Sequence, residues 1–272
     1  MVYRHESADR TPRGAESRSN VSMAAEGGLA MRIALISDIH GNEVALRAVL
    51  ASIRATGVDQ VICLGDVATL GPRPSAILDM LQELKCPCIL GNHDEFMLDP
   101  ELIRTYTEAP IVVDAVDWCR DRLSRDELAF LRTFQARLEI PLDAHSTLLV
   151  FHGSPRSHME DLLANTPPEE LDRRLAGHAA TVMAGGHTHL QMLRQHRGTL
   201  LVNPGSVGLP FKEYANGGPP TLLHHAEYAT VEAQGGAVNV SLHRVPVDRD
   251  ALRAAVKACD NPMRGALLQQ YA

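Results

Sequence analysis

The chain has no excess of basic charge. Its 26 Lys and Arg against 33 Asp and Glu leave a formal net charge of -7, which disfavours duplex nucleic acid as the main partner. It has no stretch near the ~18 apolar residues of a membrane span and no apolar signal core at its start, so no membrane segment is expected. Cysteine is scarce and without a framework: Cys63, Cys86, Cys88, Cys119 and Cys259 are odd in number and irregular in spacing. Cys86-Pro87-Cys88 is too tight for a zinc knuckle and has no second pair to complete one. All five read as reduced thiols with a packing role, in keeping with a cytoplasmic protein. No internal repeat occurs past residue 30.

Residues 1–30 are polar, charged and rich in Gly and Ala, without periodicity. They are expected to be a disordered leader, or an upstream extension of a natural start at Met31. One domain then spans residues 31–272. Met31 to Ile36 is a continuous apolar run, the pattern of a strand covered on both faces, and Ser37-Asp38-Ile39-His40-Gly41-Asn42 follows it. Val44, Leu46, Val49, Leu50 and Ile53 approximate helical spacing. A second strand at 58–64 ends in Gly65-Asp66. Residues 74–84 predict a helix with proline in its first turn, and 87–90 a third strand ending in Gly91-Asn92-His93-Asp94. This alternation predicts a parallel sheet with right-handed crossovers, whose ligands gather at the carboxyl ends of the strands.

Residues 95–140 break the rhythm and predict a helical hairpin. Val112, Val116, Cys119 and Leu123 form its first stripe, and Ser124 to Glu127 is a capping box before Leu128, Leu131 and Phe134. The hairpin serves either to pack that stripe or as a lid bringing Tyr106, Trp118 or Arg104 to substrate. Strand patterns resume at 147–151, ending in His152-Gly153-Ser154-Pro155. A helix at 168–175 precedes a run at 180–184 ending in Gly185-Gly186-His187-Thr188-His189. Leu200-Leu201-Val202 leads to Asn203-Pro204-Gly205-Ser206, which reads as a tight turn or a source of backbone donors. Strands near 226–232 and 237–245, a loop at 216–220 and helices split at Asn261-Pro262 complete the chain.

Five apolar runs therefore end in metal-type ligands. Asp38, His40, Asp66, Asn92, His152, His187 and His189 supply carboxylate, amide and imidazole donors without thiolate, which suits Mn, Fe, Zn, Ni or Mg. Seven donors exceed the needs of one ion and fit two ions sharing a carboxylate. Two divalent ions about 3.5–4 Å apart hold an attacking hydroxide and stabilise in-line phosphoryl transfer. His93 is then spare to protonate the leaving oxygen.

The ordered set Ser37 to Asn42, Leu64-Gly65-Asp66, Gly91 to Asp94, His152 to Arg156, Gly186 to His189 and Asn203 to Gly208 resembles the calcineurin-like metallophosphoesterases, in particular their compact bacterial phosphodiesterase-like branch. The resemblance implies an α/β (α+β) four-layer αββα sandwich with a helical insertion at about 95–140. It implies one metal on Asp38, His40 and His189, a second on Asn92, His152 and His187, a bridging Asp66 and a catalytic His93. The implied activity is hydrolysis of phosphodiesters or phosphomonoesters through a hydroxide bridging two divalent ions, manganese foremost, on a small phosphorylated substrate that includes nucleotides. Three alternatives stay open. A diadenosine polyphosphate hydrolase needs a base-stacking aromatic, which Tyr106, Trp118 or Tyr214 would supply. A protein phosphatase is disfavoured by Thr69, which stands where such relatives carry the acidic partner of the catalytic histidine. A non-catalytic interaction module is disfavoured by His93 and the full ligand set. Arg73 and Arg156 are candidate phosphate contacts or surface charges. Gly91 is expected to turn the backbone, and Asp94 is the candidate for orienting His93. His145, His158, His178, His196, His224, His225 and His243 match no motif and are taken as structural. Oligomeric state is not specified by the sequence.

Overall fold

The computed structural model describes residues 31–215 and 218–272, so the proposed leader and part of the 216–220 loop lie outside the described residues. The strands in chain order are β1 (Met31–Ile36), β2 (Gln60–Cys63), β3 (Arg137–Pro141), β4 (Thr147–Phe151), β5 (Val182–Ala184), β6 (Met192–His196), β7 (Thr199–Asn203), β8 (His225–Gln234) and β9 (Ala237–Pro246). They form two sheets, ordered β2-β1-β8-β9 and β3-β4-β5-β7-β6.

The period-two alternation of the buried strands explains how the sheets stack. Ile33 and Leu35 of β1 meet Leu148 and Val150 of β4, Val182 of β5 and Val202 of β7 in the core between the sheets. The alternate residues face outward onto helices. Ala34 and Ile36 pack against α1 (Glu43–Thr56) and α2 (Pro74–Leu84), through Leu46, Val49, Ile77 and Leu81. On the opposite side Leu149, Phe151 and Met183 pack against Leu171 and Leu175 of α7 (Pro168–Leu175). The result is the expected four-layer αββα sandwich.

Several expectations are corrected. Neither sheet is all-parallel. β8 and β9 form a hairpin around Gly235-Gly236, both at positive φ, and β8 inserts antiparallel to β1. The strand at 87–90 reduces to isolated bridges, Cys63 to Cys88 and Ile89 to Gln135. The insertion is four short helices rather than a hairpin: α3 (Asn92–Leu98), α4 (Glu101–Tyr106), α5 (Pro110–Arg120) and α6 (Arg125–Leu131). Pro100 and Pro110 interrupt what would otherwise be longer helices. The capping box holds, with Ser124 N donating to Glu127 at 2.6 Å and Glu127 N to Ser124 Oγ at 3.2 Å. The edge strands β3 and β6 escaped the sequence reading because each mixes exposed polar residues into its run. The C-terminal helices, α8 (Arg249–Lys257) and α9 (Arg264–Gln270), are separated at Asn261-Pro262 as expected. Cys63, Cys86, Cys88 and Cys119 are buried thiols and Cys259 is half-buried.

Asn42 starts α1 beside the ligand loops. Its Oδ1 accepts from Ala45 N at 3.1 Å and its Nδ2 donates to Gly208 O at 3.0 Å. Because α1 fixes one wall of the site through its apolar face, Leu46→Ala is predicted to cost roughly 2–5 kcal/mol of stability. Urea unfolding measures it, and a loss below about 1 kcal/mol contradicts this packing.

Candidate metal centre

All seven predicted donors converge. They follow β1, β2, the Cys88-Ile89 bridges, β4 and β5 at one rim of the two sheets. Ligand atoms of Asp38, His40 and His189 form one tight group within 4.8 Å of one another, and those of Asp66, His152 and His187 form another. Asn92 belongs with the second, its Oδ1 lying 3.1 Å from His152 Nε2 and 3.0 Å from His187 Nδ1. Asp66 Oδ2 reaches both groups, 3.3 Å from His152 Nε2 and 3.9 Å from His40 Nε2. Asp38 Oδ1 also faces both, 3.4 Å from His189 Nε2 and 4.0 Å from His152 Nε2.

Outer hydrogen bonds set each ring's orientation. His152 Nδ1 donates to Leu64 O and His189 Nδ1 to Leu209 O, each at 2.7 Å, while His40 Nδ1 lies 3.2 Å from Thr69 Oγ1. A ring anchored at Nδ1 presents the lone pair of Nε2 inward, the tautomer a metal ligand needs. His40 Nε2 and His189 Nε2 accordingly point at each other across 3.1 Å. Thr69 therefore fixes His40, not His93.

The charges point the same way. Burial alone would raise the carboxyls of Asp66 and Asp38. The imidazoles of His152, His93 and His40 instead hold Asp66 well below the usual carboxylate range, and His189 and His152 lower Asp38. Burial likewise opposes a proton on His152, yet Asp66 and Asp38 raise its pKa to about 10; His189 is raised against burial mainly by Asp38. Burial, reinforced by neighbouring imidazoles, pushes His40 far down and His187 to about 4. Each group thus pairs an ionised carboxylate with a histidine that binds a proton tightly, where a cation would be held instead. Asp38 Oδ1 and Asn92 Nδ2 are buried without a hydrogen-bond partner among the described residues. Together, the donor set and its partial satisfaction fit two divalent ions.

The backbone between the donors is cross-braced. Asp94 is the hub: its carboxylate accepts from Asp66 N, Val67 N and Gly91 N at 2.8, 2.9 and 2.9 Å. It organises the loops rather than orienting His93, and burial beside Asp66 pushes its pKa up to about 6. Gly91 has an extended backbone, not a left-handed turn. It is small because a Cβ there would lie 2.1 Å from Asp66 Oδ1. His93 N donates to Asp66 Oδ1 at 2.9 Å, its ring meets those of His40, Phe96 and Tyr106 edge-on, and its Nδ1 is buried without a partner among the described residues. Asn203 to Ser206 acts as a staple: Asn203 Nδ2 donates to Gly186 O at 2.6 Å and Ser206 Oγ to Asp38 O at 2.7 Å.

The candidate substrate residues divide. Arg73 pairs with Glu43 at 3.1 Å, and Arg156 Nε donates to Glu160 at 2.9 Å. Arg104 pairs with Asp117 at 2.7 Å. Trp118 donates to Asp260 at 2.9 Å beneath the Arg122 guanidinium, which occupies its ring face. Tyr106 stands beside His93, and Tyr214 donates to Asp161, which faces His187. Sequence reasoning missed Asp161 altogether, since a lone Asp in a loop carries no signal.

Residues 31–234 match the family model of the calcineurin-like phosphoesterase superfamily domain. The chain belongs to that superfamily. Among relatives of this calcineurin-like phosphoesterase is the phosphodiesterase YfcE of Escherichia coli K12, 26% identical over 190 residues that cover 66% of this chain and 81% of the relative. The crystal structure of a metallophosphoesterase from Sphaerobacter thermophilus superposes with a TM-score of 0.69 at 26% identity, covering 89% of this chain and 98% of the other. The hypothetical protein PH1004 of Pyrococcus horikoshii shares the fold, with a TM-score of 0.73 at 17% identity over 88% and 96% of the two chains. No helix among the described residues is long and apolar enough to cross a membrane.

Asp94→Ala strands three buried N–H donors, each worth roughly 1–3 kcal/mol when unsatisfied. It is predicted to lower stability by about 3 kcal/mol or more in urea unfolding. A loss under about 1 kcal/mol would show that the hub is dispensable.

Proposed function

We propose that this calcineurin-like phosphoesterase hydrolyses phosphodiester or phosphomonoester bonds of a small phosphorylated substrate, using two divalent ions with manganese foremost. The observation that carries this reading is Asp66, whose carboxylate reaches both ligand groups while its other oxygen accepts from His93 N. Asp38, His40 and His189 would hold one ion, and Asn92, His152 and His187 the other, with Asp66 shared. When bound, the pair supplies the positive charge and activated water for in-line attack at phosphorus.

The chain's own groups do the rest. Asp94 and the Asn203 to Ser206 staple hold the donors in position before substrate arrives. Burial lowers the pKa of His93 although Asp66 opposes this, and its buried Nδ1, without a partner among the described residues, is available to exchange a proton with the leaving oxygen. The aromatic ring of Tyr106, 6.4 Å from His93 between centroids, favours a leaving group with a flat face and sustains diadenosine polyphosphate hydrolysis as the second reading. Arg73 and Arg156 would have to leave their carboxylates to reach a phosphate.

Manganese-loaded protein is predicted to release nitrophenol from bis-nitrophenyl phosphate, and a chelator to abolish this. His93→Ala should cut kcat by roughly 10²–10⁴-fold while both ions are retained, whereas Asp66→Ala should lose activity together with bound metal. Metal-loaded protein that turns over no phosphate ester, a nucleotide panel included, would refute the reading. Preferential cleavage of diadenosine polyphosphates in that panel would select the second reading.

A further inference from the structure

Three of the four histidines in the metal centre anchor Nδ1 on a carbonyl or hydroxyl of a neighbouring loop and turn Nε2 inward. His187 is reversed. Its Nδ1 lies 3.0 Å from Asn92 Oδ1, and its Nε2 faces outward onto the carboxylate Oδ1 of Asp161 at 3.5 Å, the outer limit of hydrogen-bond reach. Its backbone is held at a φ of 68°, with its N donating to Asp38 Oδ2 at 3.1 Å. Asp161 is itself fixed. Its Oδ2 accepts from Tyr214 Oη at 2.6 Å, and its main-chain carbonyl accepts from Arg174, which is locked in turn on Glu170 at 2.7 Å. Tyr214 belongs to the segment that leaves the site after Phe211, whose N donates to His189 O at 3.2 Å and whose ring lies 4.2 Å from that of His189. This segment touches the first ligand group through Phe211 and the second through Tyr214 and Asp161.

We propose that Asp161 is a positioning residue that fixes His187 with its proton on Nε2 and its Nδ1 lone pair toward the second metal group, and that Tyr214 holds Asp161 in place for this task. The inference rests on the dinuclear reading above. An imidazole carries one proton when neutral, so an acceptor at Nε2 leaves Nδ1 free as a donor atom for a cation. Without that acceptor the proton is drawn to Nδ1, where Asn92 Oδ1 lies 3.0 Å away, and the Nδ1–H form cannot ligate. A carboxylate in this place also increases the basicity of the ligand, which neither a carbonyl nor a hydroxyl does as strongly. Asp161 and Tyr214 thus tune the second metal group without touching substrate or metal.

The test uses the full chain and two readouts independent of turnover. Imidazole ¹⁵N shifts of the metal-free protein report the His187 tautomer, assigned by comparison with His187→Gln, and manganese titration followed by calorimetry reports the two affinities. In Asp161→Ala one class of manganese sites is expected to lose roughly 10–100-fold in affinity while the other is unchanged, and His187 should shift towards the Nδ1–H form, whose acceptor Asn92 Oδ1 remains. Asp161→Asn, which keeps an acceptor oxygen, should restore the tautomer and part of the affinity, and Tyr214→Phe should show a smaller loss in the same direction. Folding of each variant is checked by its thermal transition, and Asp161→Asn carries the test should the alanine variant not fold. An unchanged tautomer and unchanged manganese affinities in Asp161→Ala, or manganese affinities unchanged in both Tyr214→Phe and Asp161→Asn, would overturn the proposal. Wild-type protein that binds two ions yet hydrolyses no phosphate ester would defeat the functional reading while leaving both of these readouts intact.

Discussion

Everything at the rim of the two sheets depends on holding a set of side chains in a backbone conformation that they avoid. Asp38, His40, Asp66, His187 and His189 all sit at φ between 46° and 68°, in the left-handed region. For residues with a Cβ this costs of order 1–3 kcal/mol each and persists only when the surroundings over-determine it. The surroundings here are reciprocal main-chain bonds. Asp38 N donates to Gly65 O, His40 N to Asp66 O, Val207 N to Ser37 O and Gly208 N to Asp38 O, each at 2.9 or 3.0 Å. Each strained loop is thus clamped by another, and the sandwich core beneath them supplies the stability that the loops consume.

Attraction between opposite charges explains why so many ionisable groups coexist in this buried rim. Two carboxylates and four imidazoles cannot all be neutral and unpaired in so dry a place. Burial pulls each toward its neutral form, and mutual attraction between Asp66 and His152, and between Asp38 and His189, wins. The same field that traps protons on these histidines attracts divalent cations, and a superfamily of metal-dependent phosphoesterases is the setting in which that field has a use.

Much of this was legible in the sequence, and the part that was not has physical causes. Apolar runs announced β1, β4 and the ligands that follow them, because a strand buried on both faces has no choice of composition. The identity of the donors was visible because each is a polar residue stranded at the end of such a run. The mixed character of the sheets was hidden, since β8 reaches β1 across almost the whole chain and strand direction leaves no trace in local composition. The role of Asp94 was misread for a similar reason: its neighbour in sequence is His93, but its three partners are main-chain N–H groups that no side-chain pattern records. Thr69 looked like a missing acid and is the partner of His40. Asp161 carried no signal, and Tyr214 stood out only as a candidate base-stacking aromatic, because the two come together beside His187 only through the folding of two long loops.

The proposed dinuclear centre is tested most directly by anomalous diffraction from crystals of the manganese-loaded protein. Two peaks about 3.5–4 Å apart are expected, one among Asp38, His40 and His189, the other among Asn92, His152 and His187, with Asp66 between them. A single peak, or manganese bound away from these residues, would contradict it.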